Sequence, residues 1–355
     1  MSGVNELDII YDKVSSDSSI LFTVKIHNLH FCRDSMPDFP IIWDFSSLRS
    51  FDNTSLQFNN LSKSESVCIQ IVYIIMCFVG TIGNLITIIA LVRDPELRKR
   101  SNTKFVVSLA ISDLLFCFII MPIWIVIVSD PNIILFETIC SFSTYSGGAT
   151  QATSLITLMA IAINRYVMIC HKSIYQYVYT PLSVSLMITF IWLFTFGLLA
   201  LPLFGLWGKI GLITSGLRCD ILPISDDYLD PKKFFYSLFF LLPLIIMTTC
   251  YVGIFIKVRR MKKQLLAYIS SHKEEDWQVL KMMSIIFICY IFGALPIFIT
   301  NLIDPLRLQV GLHVVPRMLI SVQALINPFI YAFNNKVYQK AFRKLYRDVL
   351  RIVCS

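Results

Sequence analysis

Seven long apolar stretches follow one another along the chain and are separated by short polar loops. They cover residues 66–92, 105–129, 138–164, 183–208, 234–256, 282–303 and roughly 311–333. A bilayer core about 30 Å thick is crossed by roughly 20 apolar residues in a helix, but by only about 9–11 residues in a barrel strand. The length of the stretches therefore predicts an all-α membrane protein, a bundle of seven transmembrane helices.

The same pattern divides the chain into three parts. Residues 1–65 are polar and of mixed charge, and we expect a tail that is largely disordered. Residues 66–335 carry the seven spans. Residues 336–355 alternate basic and apolar positions at helical spacing, which predicts an amphipathic helix that lies on the membrane surface beside the last span.

Composition and charge support a membrane protein and predict its orientation. The chain is 56% hydrophobic and 15% charged, whereas a soluble domain carries about 25% charged residues. Its net charge is +8, and Lys and Arg gather in the first, third and fifth loops and in the C-terminal tail. The positive-inside rule places these segments in the cytoplasm and the N-terminal tail outside the cell. We expect a multi-pass plasma-membrane protein whose basic side meets membrane lipid, and no binding to nucleic acid.

Two kinds of modification fit this orientation. The N-terminal tail holds glycosylation sequons at Asn53 and Asn60, as expected of an extracellular segment. Cys354, near the C-terminus, is either a palmitoylation site or a plain reduced thiol.

Polar residues inside the apolar spans are the strongest chemical signal. They are Asn84, Asp113, Ser154, Gln323 and Asn327. A carboxylate within a membrane is costly, so it usually has a partner or a function. Hard cations prefer oxygen ligands, so Asp113, Ser154 and Asn327, together with Asn84, form a candidate sodium site. The alternative is a neutral, hydrogen-bonded acid that only holds the helices together.

Short motifs recur in a fixed order along the spans. They are Gly83-Asn84 in the first span, Leu109 to Asp113 in the second, Asn164-Arg165-Tyr166 in the third, Trp192 in the fourth, Pro243 and Tyr251 in the fifth, Pro296 in the sixth, and Asn327 to Tyr331 in the seventh. In this order they resemble the rhodopsin-type (class A) G-protein-coupled receptors over roughly residues 66–346. The resemblance implies a receptor that binds an extracellular ligand in the helix bundle and activates a heterotrimeric G protein. It also implies that sodium bound at Asp113 stabilises the inactive state.

The resemblance further implies an activation switch at the cytosolic end of the bundle. Its residues are Asn164, Arg165, Tyr166, Tyr251, Asp276, Asn327, Pro328 and Tyr331. A buried guanidinium needs an acceptor, and most relatives supply an acid immediately before it. Asn164 stands there in this chain, which leaves Asp276 or Glu275 as the acceptor and predicts a loosened resting state. Alternatively, Arg165 is only a snorkelling charge at the end of a helix.

Two cysteines are expected to face the extracellular side. Cys140 opens the third span, and Cys219 lies in the second outer loop. Because that side is oxidising, we expect a disulfide that pins the loop over the mouth of the bundle.

Two positions restrict the ligand. Gly147 stands where amine-binding relatives carry an Asp, and Ser321 stands where opsins carry the retinal-binding Lys, so neither ligand is expected. The candidate pocket residues are Gly147, Gln151, Asn301, His313 and Arg317. Arg317, in the outer third of the seventh span, suits a carboxylate or phosphate. Alternatively, it pairs with an outer-loop acid, for which the candidates are Asp226, Asp227 and Asp304.

Within the class, residues 162–166 and 169–171 are similar to the melatonin-receptor-like branch, which includes arthropod orphan receptors of the Trapped-in-endoderm and Moody type. The branch implies an inhibitory-type G protein. Two departures stand out: Pro328 replaces the Ala of melatonin receptors, and Ala294 replaces the Trp that usually precedes the sixth-span proline by two residues. Activation through a rotamer change of that Trp therefore does not apply to this chain. Tyr290 is a candidate to replace the aromatic packing that the Trp provides in relatives.

The main alternative function is a membrane transporter or channel. Such a protein predicts internal repeats and several charges at mid-membrane depth, but the sequence has no repeat and only Asp113 at that depth. An enzyme would need a nucleophile with a base, or a metal cluster, and five scattered histidines supply neither. We therefore predict a receptor without catalytic residues and with no cofactor other than the possible sodium ion.

Overall fold

The computed structural model describes residues 63–129, 137–213, 218–224, 230–264, 272–303 and 310–353. Within these residues, seven helices are long and apolar enough to cross a membrane. The spans are Ser66–Arg93, Ser101–Ile127, Thr138–Cys170, Pro181–Leu203, Pro231–Arg260, Ser284–Asn301 and His313–Asn334. The predicted fold class, a seven-helix transmembrane bundle, is confirmed. The predictions for the N-terminal tail, including Asn53 and Asn60, and for Cys354 lie outside the described residues.

We number the helices that carry the spans from first to seventh. They are Lys63–Arg93; Ser101–Leu115 with Phe116–Ile120 and Met121–Ser129; Glu137–Cys170; Pro181–Leu203; Pro231–Tyr236 with Ser237–Leu241 and Leu242–Gln264; His272–Ile303; and Val310–Asn334. The segments Phe116–Ile120 and Ser237–Leu241 are π-helical turns within the second and fifth helices. Such turns insert an extra residue into a helix and frequently occur at functional sites.

The fourth helix ends at Leu203, earlier than the apolar pattern predicts. Gly205 and Gly208 follow with φ of 66° and 73°, a backbone conformation that glycine adopts at no steric cost. The chain then forms a hairpin, in which β1 (Lys209–Ile213) pairs antiparallel with β2 (Arg218–Leu222). We call the end of the bundle that carries this hairpin the hairpin face, and the opposite end, where the third helix ends, the Arg165 face.

The bundle exposes large apolar side chains on its outside and buries several polar side chains within an apolar core. Large apolar side chains such as Phe118, Phe190 and Phe292 are 65%, 64% and 73% exposed, whereas Asn84 and Asp113 are buried. Soluble proteins rarely expose apolar surface on this scale, and lipid covers it in a membrane protein. The third helix packs against the second, fourth and fifth helices and is therefore central to the bundle.

Shorter helices lie at the Arg165 face. They are Pro95–Lys99, Lys172–Val178 and the C-terminal helix Lys336–Val353. Asn335 separates the seventh helix from the C-terminal helix and caps the start of the latter. Its Oδ1 accepts hydrogen bonds from the backbone N–H groups of Val337 and Tyr338 over 2.9 and 3.1 Å. The predicted juxtamembrane helix is therefore present and begins at a side-chain cap.

Candidate functional site

A polar cluster surrounds Asp113, which is only 2% exposed. Ser154 Oγ, on the third helix, donates a hydrogen bond to Asp113 Oδ1 over 2.8 Å. Asn327 Nδ2, on the seventh helix, donates to Asp113 Oδ2 over 2.8 Å. Ser112 Oγ lies 2.8 Å from Ser154 Oγ. The structure thus brings together three of the four predicted sodium ligands, and we call Asp113, Ser154 and Asn327 the Asp113 cluster.

Asn84, the fourth predicted ligand, has a different set of contacts. Its Nδ2 donates to the backbone oxygens of Gly80 and Ala324 over 2.9 and 2.8 Å, and so joins the first helix to the seventh. Its Oδ1 is buried and accepts no hydrogen bond within the described residues. Asn84 therefore joins the backbones of two helices, and its Oδ1 is left without a hydrogen-bond partner in the described part of the chain.

One face of the seventh helix carries further buried polar atoms. Among the described residues, Asn327 Oδ1, both amide atoms of Gln323 and the Tyr331 hydroxyl have no hydrogen-bond partner. Residues 323, 327 and 331 are four apart and so share one helix face. A buried polar group left unpaired costs about 1–3 kcal/mol, so this face suits a polar guest, either water or a cation.

Aromatic packing joins the fifth and sixth helices near Ala294. Tyr290 is fully buried, and its hydroxyl donates to the backbone oxygen of Phe240 over 3.3 Å, within the π-helical turn. The Phe240 ring stacks on Phe298 with centroids 4.8 Å apart. A Cβ added at Gly293 would lie 3.1 Å from the backbone oxygen of Leu319. Small residues at 293 and 294 thus let the sixth and seventh helices approach closely. Tyr290 supplies the aromatic contact between the sixth helix and the fifth helix.

Arg165 lies at the end of the third helix and is 5% exposed. Its Nη1 lies 3.5 Å from Met168 Sδ, and its positive charge acts on the Tyr251 phenol of the fifth helix. The Tyr251 ring stacks on Phe287 of the sixth helix with centroids 5.0 Å apart. The charge of Arg165 therefore acts on a tyrosine whose ring joins the fifth helix to the sixth. The side chains of Asp276 and Glu275, its predicted acceptors, lie outside the described residues.

Asn164, beside Arg165, is fully buried and bonds to a neighbouring loop helix. Its Nδ2 donates to the Tyr175 hydroxyl over 3.5 Å, and its Oδ1 has no partner within the described part of the chain. Tyr175 in turn stacks on Tyr179 with centroids 5.0 Å apart. Burial, and secondarily the neighbouring Tyr175, raise the pKa of Tyr179 to about 12, so its phenol stays neutral at physiological pH. The prediction from sequence did not include Tyr175, although the run of tyrosines after the third span was a possible signal.

Tyr166 and Tyr331 complete the predicted switch at the Arg165 face. A Cβ added at Gly253 would lie 2.6 Å from Tyr166 Cε2, so the Tyr166 ring packs directly against the fifth-helix backbone. Tyr331 is fully buried and meets the Tyr338 ring edge-on, with centroids 6.0 Å apart. One turn earlier, Pro328 packs against the first helix at Gly83, where an added Cβ would lie 3.2 Å from Pro328 Cβ.

The predicted disulfide between Cys140 and Cys219 is confirmed. It joins β2 to the start of the third helix, with Cα atoms 5.4 Å apart. The next residue, Asp220, forms an ion pair with Lys232 over 2.8 Å, and both side chains are largely buried. This pair fastens the hairpin to the outer end of the fifth helix. Sequence reasoning missed it, because no spacing rule links a loop acid to a lysine in another element.

The predicted ligand-pocket residues have different surroundings. The Arg317 guanidinium lies over the Trp124 ring of the second helix, 5.3 Å from its centroid, and Trp124 meets Tyr73 and Phe116 edge-on. Asn301 Nδ2 donates to the Ile297 backbone oxygen of its own helix over 2.6 Å.

The other three pocket candidates are His313, Gln151 and Gly147. His313 is almost fully buried, and Gln151 is half-buried. A Cβ added at Gly147 would lie 3.3 Å from Ile120 Cγ2, so Gly147 packs against the second helix. The acids proposed as alternative partners of Arg317, namely Asp226, Asp227 and Asp304, lie outside the described residues.

A membrane bundle of seven helices, with polar side chains gathered around a central third helix, has the architecture of a transmembrane receptor. The chain matches the family described as 7 transmembrane receptor (rhodopsin family) over residues 83–331. This chain belongs to that family, and it is a multi-pass plasma-membrane G-protein-coupled receptor. The resemblance read from the motifs is confirmed, and the transporter or channel alternative is not favoured.

Several known proteins are similar to this chain. Protein trapped in endoderm-1 of Drosophila melanogaster is 31% identical over 293 residues, which cover 76% of this chain and 74% of that protein. The G-protein coupled receptor moody of Drosophila melanogaster is 25% identical over 79% of this chain, which spans about half (51%) of its length. Melatonin receptor type 1B-B of Danio rerio is 27% identical, with 80% of this chain and 81% of that receptor covered.

Proposed function

We propose that the receptor binds an extracellular ligand at the hairpin face and activates a heterotrimeric G protein at the Arg165 face. The basic loops at the Arg165 face and the disulfide at the hairpin face support a cytoplasmic C-terminus and an extracellular N-terminus. One observation carries the proposal: Arg165 is buried in the last turns of the central helix, where its charge acts on Tyr251, and the Tyr251 ring stacks on Phe287 of the sixth helix. Outward movement of the fifth and sixth helices would uncover this guanidinium for a protein partner.

Nucleotide exchange tests this proposal. Membranes that contain the receptor are incubated with purified heterotrimers of the inhibitory, stimulatory and phospholipase-coupled classes, and binding of a non-hydrolysable GTP analogue is measured. We expect exchange to be faster than in receptor-free membranes with one of these classes. The resemblance to the melatonin-receptor-like branch favours the inhibitory class. Exchange at the rate of receptor-free membranes with every class would contradict the proposal.

A sodium ion in the Asp113 cluster is part of the proposed resting state. The ligands would be Asp113, Ser154 and Asn327. The Oδ1 of Asn327, which accepts no hydrogen bond from the described residues, would supply a neutral oxygen. Oxygen donors from three helices fit a hard cation, and the unpaired oxygen of Gln323 one turn away adds to the polar surroundings. When bound, the ion compensates the carboxylate charge and holds the second, third and seventh helices together.

Sodium is therefore expected to stabilise the receptor and to lower its basal exchange. Raising sodium at constant ionic strength, with potassium in the reference buffer, should increase the unfolding temperature of the purified receptor. Asp113→Asn should remove this response, because a neutral amide lacks the charge that attracts the cation. Ser112→Ala is a matched control, since Ser112 contacts Ser154 rather than Asp113. If sodium raises the unfolding temperature of Asp113→Asn as much as that of the unchanged receptor, the proposed sodium site is excluded.

Arg317 supports an anionic ligand. Its guanidinium lies over the Trp124 ring, and Trp124 itself packs edge-on against Tyr73 and Phe116. A guanidinium beside aromatic rings suits an amphiphile whose head is a carboxylate or phosphate. The proposed ligand class is therefore an acidic amphiphile rather than an amine.

Arg317→Ala is expected to weaken an acidic agonist by about tenfold or more, as for the loss of a charge-assisted hydrogen bond. The agonist is taken from a panel of fatty acids and lysophosphatidic acids that is first screened on the unchanged receptor. Lys209→Ala is a matched control, since this exposed lysine lies in β1 at the same face. Undiminished potency in Arg317→Ala at equal surface expression would exclude the anionic contact.

Asn164→Asp is expected to lower basal exchange roughly fivefold, which corresponds to about 1 kcal/mol. The new carboxylate would lie beside the buried Arg165 and would accept a hydrogen bond from Tyr175, and both contacts stabilise the resting bundle. Gln176→Glu controls for added charge, because Gln176 is exposed on the same loop helix. Basal exchange that stays unchanged or rises in Asn164→Asp would contradict this account.

A further inference from the structure

A cavity of about 280 Å³ opens at the Arg165 face, between the end of the first helix and the C-terminal helix. Ala90 and Leu345 form its apolar wall, and the charged residues around it are Arg93, Asp94, Lys344 and Asp348. The C-terminal helix is amphipathic, so it lies at the depth of lipid headgroups. The cavity therefore opens where headgroups and the first part of the acyl chains meet the protein.

Two cations and two carboxylates surround this cavity. Within the described residues, no ion pair joins Arg93 or Lys344 to Asp94 or Asp348. Asp94 uses Oδ1 to cap the short helix Pro95–Lys99, accepting from the backbone N–H groups of Glu96 and Leu97 over 3.0 and 3.1 Å. Opposite charges that line one cavity without meeting are complementary to a guest that carries both charges.

We propose that this cavity binds the phosphoethanolamine headgroup of a membrane phospholipid. The phosphate accepts hydrogen bonds from Arg93 and Lys344, and the ammonium group donates to Asp348. The acyl chains leave along Ala90 and Leu345 into the bilayer. Arg93 and Lys344 are exposed side chains with long apolar stems, which let their charged ends adjust to the phosphate.

Other headgroups fit these charges less well. A choline headgroup carries a cation without N–H donors, so it gives Asp348 no hydrogen bond. A glycerol headgroup leaves both carboxylates without a cation. A phosphoinositide would bring several negative charges to a site whose own charges sum to zero, because two bases face two acids. The phosphoethanolamine group satisfies both signs, and it is present in phosphatidylethanolamine and, with an added carboxylate, in phosphatidylserine.

Lipid retention tests the proposal independently of G-protein coupling. The purified full-length receptor is equilibrated in detergent with equal amounts of phosphatidylethanolamine, phosphatidylcholine, phosphatidylglycerol and phosphatidylserine, and the retained lipid is counted by native mass spectrometry. We expect phosphatidylethanolamine to be retained about threefold over phosphatidylcholine and phosphatidylglycerol, as for a partly exposed ion pair. Phosphatidylserine retained at the level of phosphatidylethanolamine also supports the proposal. Equal retention of phosphatidylglycerol, or retention of phosphatidylserine alone, would overturn it.

Two variants and one lipid series sharpen the test. Asp348→Asn should abolish the preference over phosphatidylcholine, whereas Lys344→Gln should lower retention of both lipids. Arg347→Gln is the matched control, because this exposed base lies next to Asp348 but does not line the cavity. On the unchanged receptor, retention should fall with each methyl group added to the ethanolamine nitrogen. A preference that survives in Asp348→Asn or throughout the methylation series would refute the proposal.

Discussion

Replacing Arg165 with Ala is expected to lower receptor-driven nucleotide exchange by about a hundredfold, while the receptor still reaches the cell surface. Arg165 lies in the last turns of the central helix, and its charge acts on Tyr251, which stacks on Phe287 of the sixth helix. Removing the guanidinium removes the donor proposed to meet the G protein. Two charge-assisted hydrogen bonds at about 1.5 kcal/mol each account for this loss. The measurement is the initial rate of nucleotide exchange at matched receptor density.

Two further variants separate this role from a general effect of charge. Arg165→Lys keeps the positive charge but lacks the planar fork of donors, so we expect partial activity. Arg98→Ala removes an exposed arginine at the same face and should leave exchange within about twofold of the unchanged receptor. If Arg165→Ala keeps full exchange, Arg165 is only a snorkelling charge at the end of its helix.

Loss of the disulfide is expected to have the second large effect, on folding rather than on coupling. Cys140 and Cys219 are separated by 79 residues, and closing a loop of that size stabilises a fold by about 4.5 kcal/mol in the chain-entropy model. Typical folded proteins are stable by only about 5–15 kcal/mol. Cys140→Ser and Cys219→Ser should each strongly reduce surface expression and lower the unfolding temperature.

The double variant Cys140→Ser/Cys219→Ser should resemble either single variant, because one bond is lost in every case. Cys68→Ser is a suitable control, since Cys68 is an exposed free cysteine of the first helix. Normal expression and stability of both single variants would mean that the Asp220–Lys232 ion pair and hairpin packing suffice to hold the loop.

The sequence predicted those features that depend on long apolar runs or on ordered motifs. Seven spans followed from length alone, and Asp113, Ser154 and Asn327 meet as expected because each lies deep within its own span. The disulfide followed from topology, since only the outer side is oxidising. Features that depend on backbone detail were not predictable in this way.

The early end of the fourth helix at Leu203 is one such feature, because hydropathy continues to Gly208 while the backbone turns at two glycines. The π-helical turns at Phe116–Ile120 and Ser237–Leu241 have no signature in apolar periodicity. Contacts between distant elements were also missed. Asn164 meets Tyr175 of a loop helix, and Asn84 bonds to backbone oxygens rather than to Asp113, because tertiary packing decides which polar partner a side chain reaches.

The central claim is that a change in helix arrangement at the Arg165 face transmits the signal to a G protein. Spin labels are placed at Tyr177→Cys and Lys281→Cys, both exposed positions, in a background whose other cysteines that are neither buried nor disulfide-bonded are replaced by Ser. They report the distance between the loop after the third helix and the sixth helix. Double electron–electron resonance is measured before and after addition of a nucleotide-free heterotrimer. The account predicts a new population at longer distance, which a GTP analogue removes and which Arg165→Ala does not form. A distance distribution that is identical with and without a coupling heterotrimer would contradict the account.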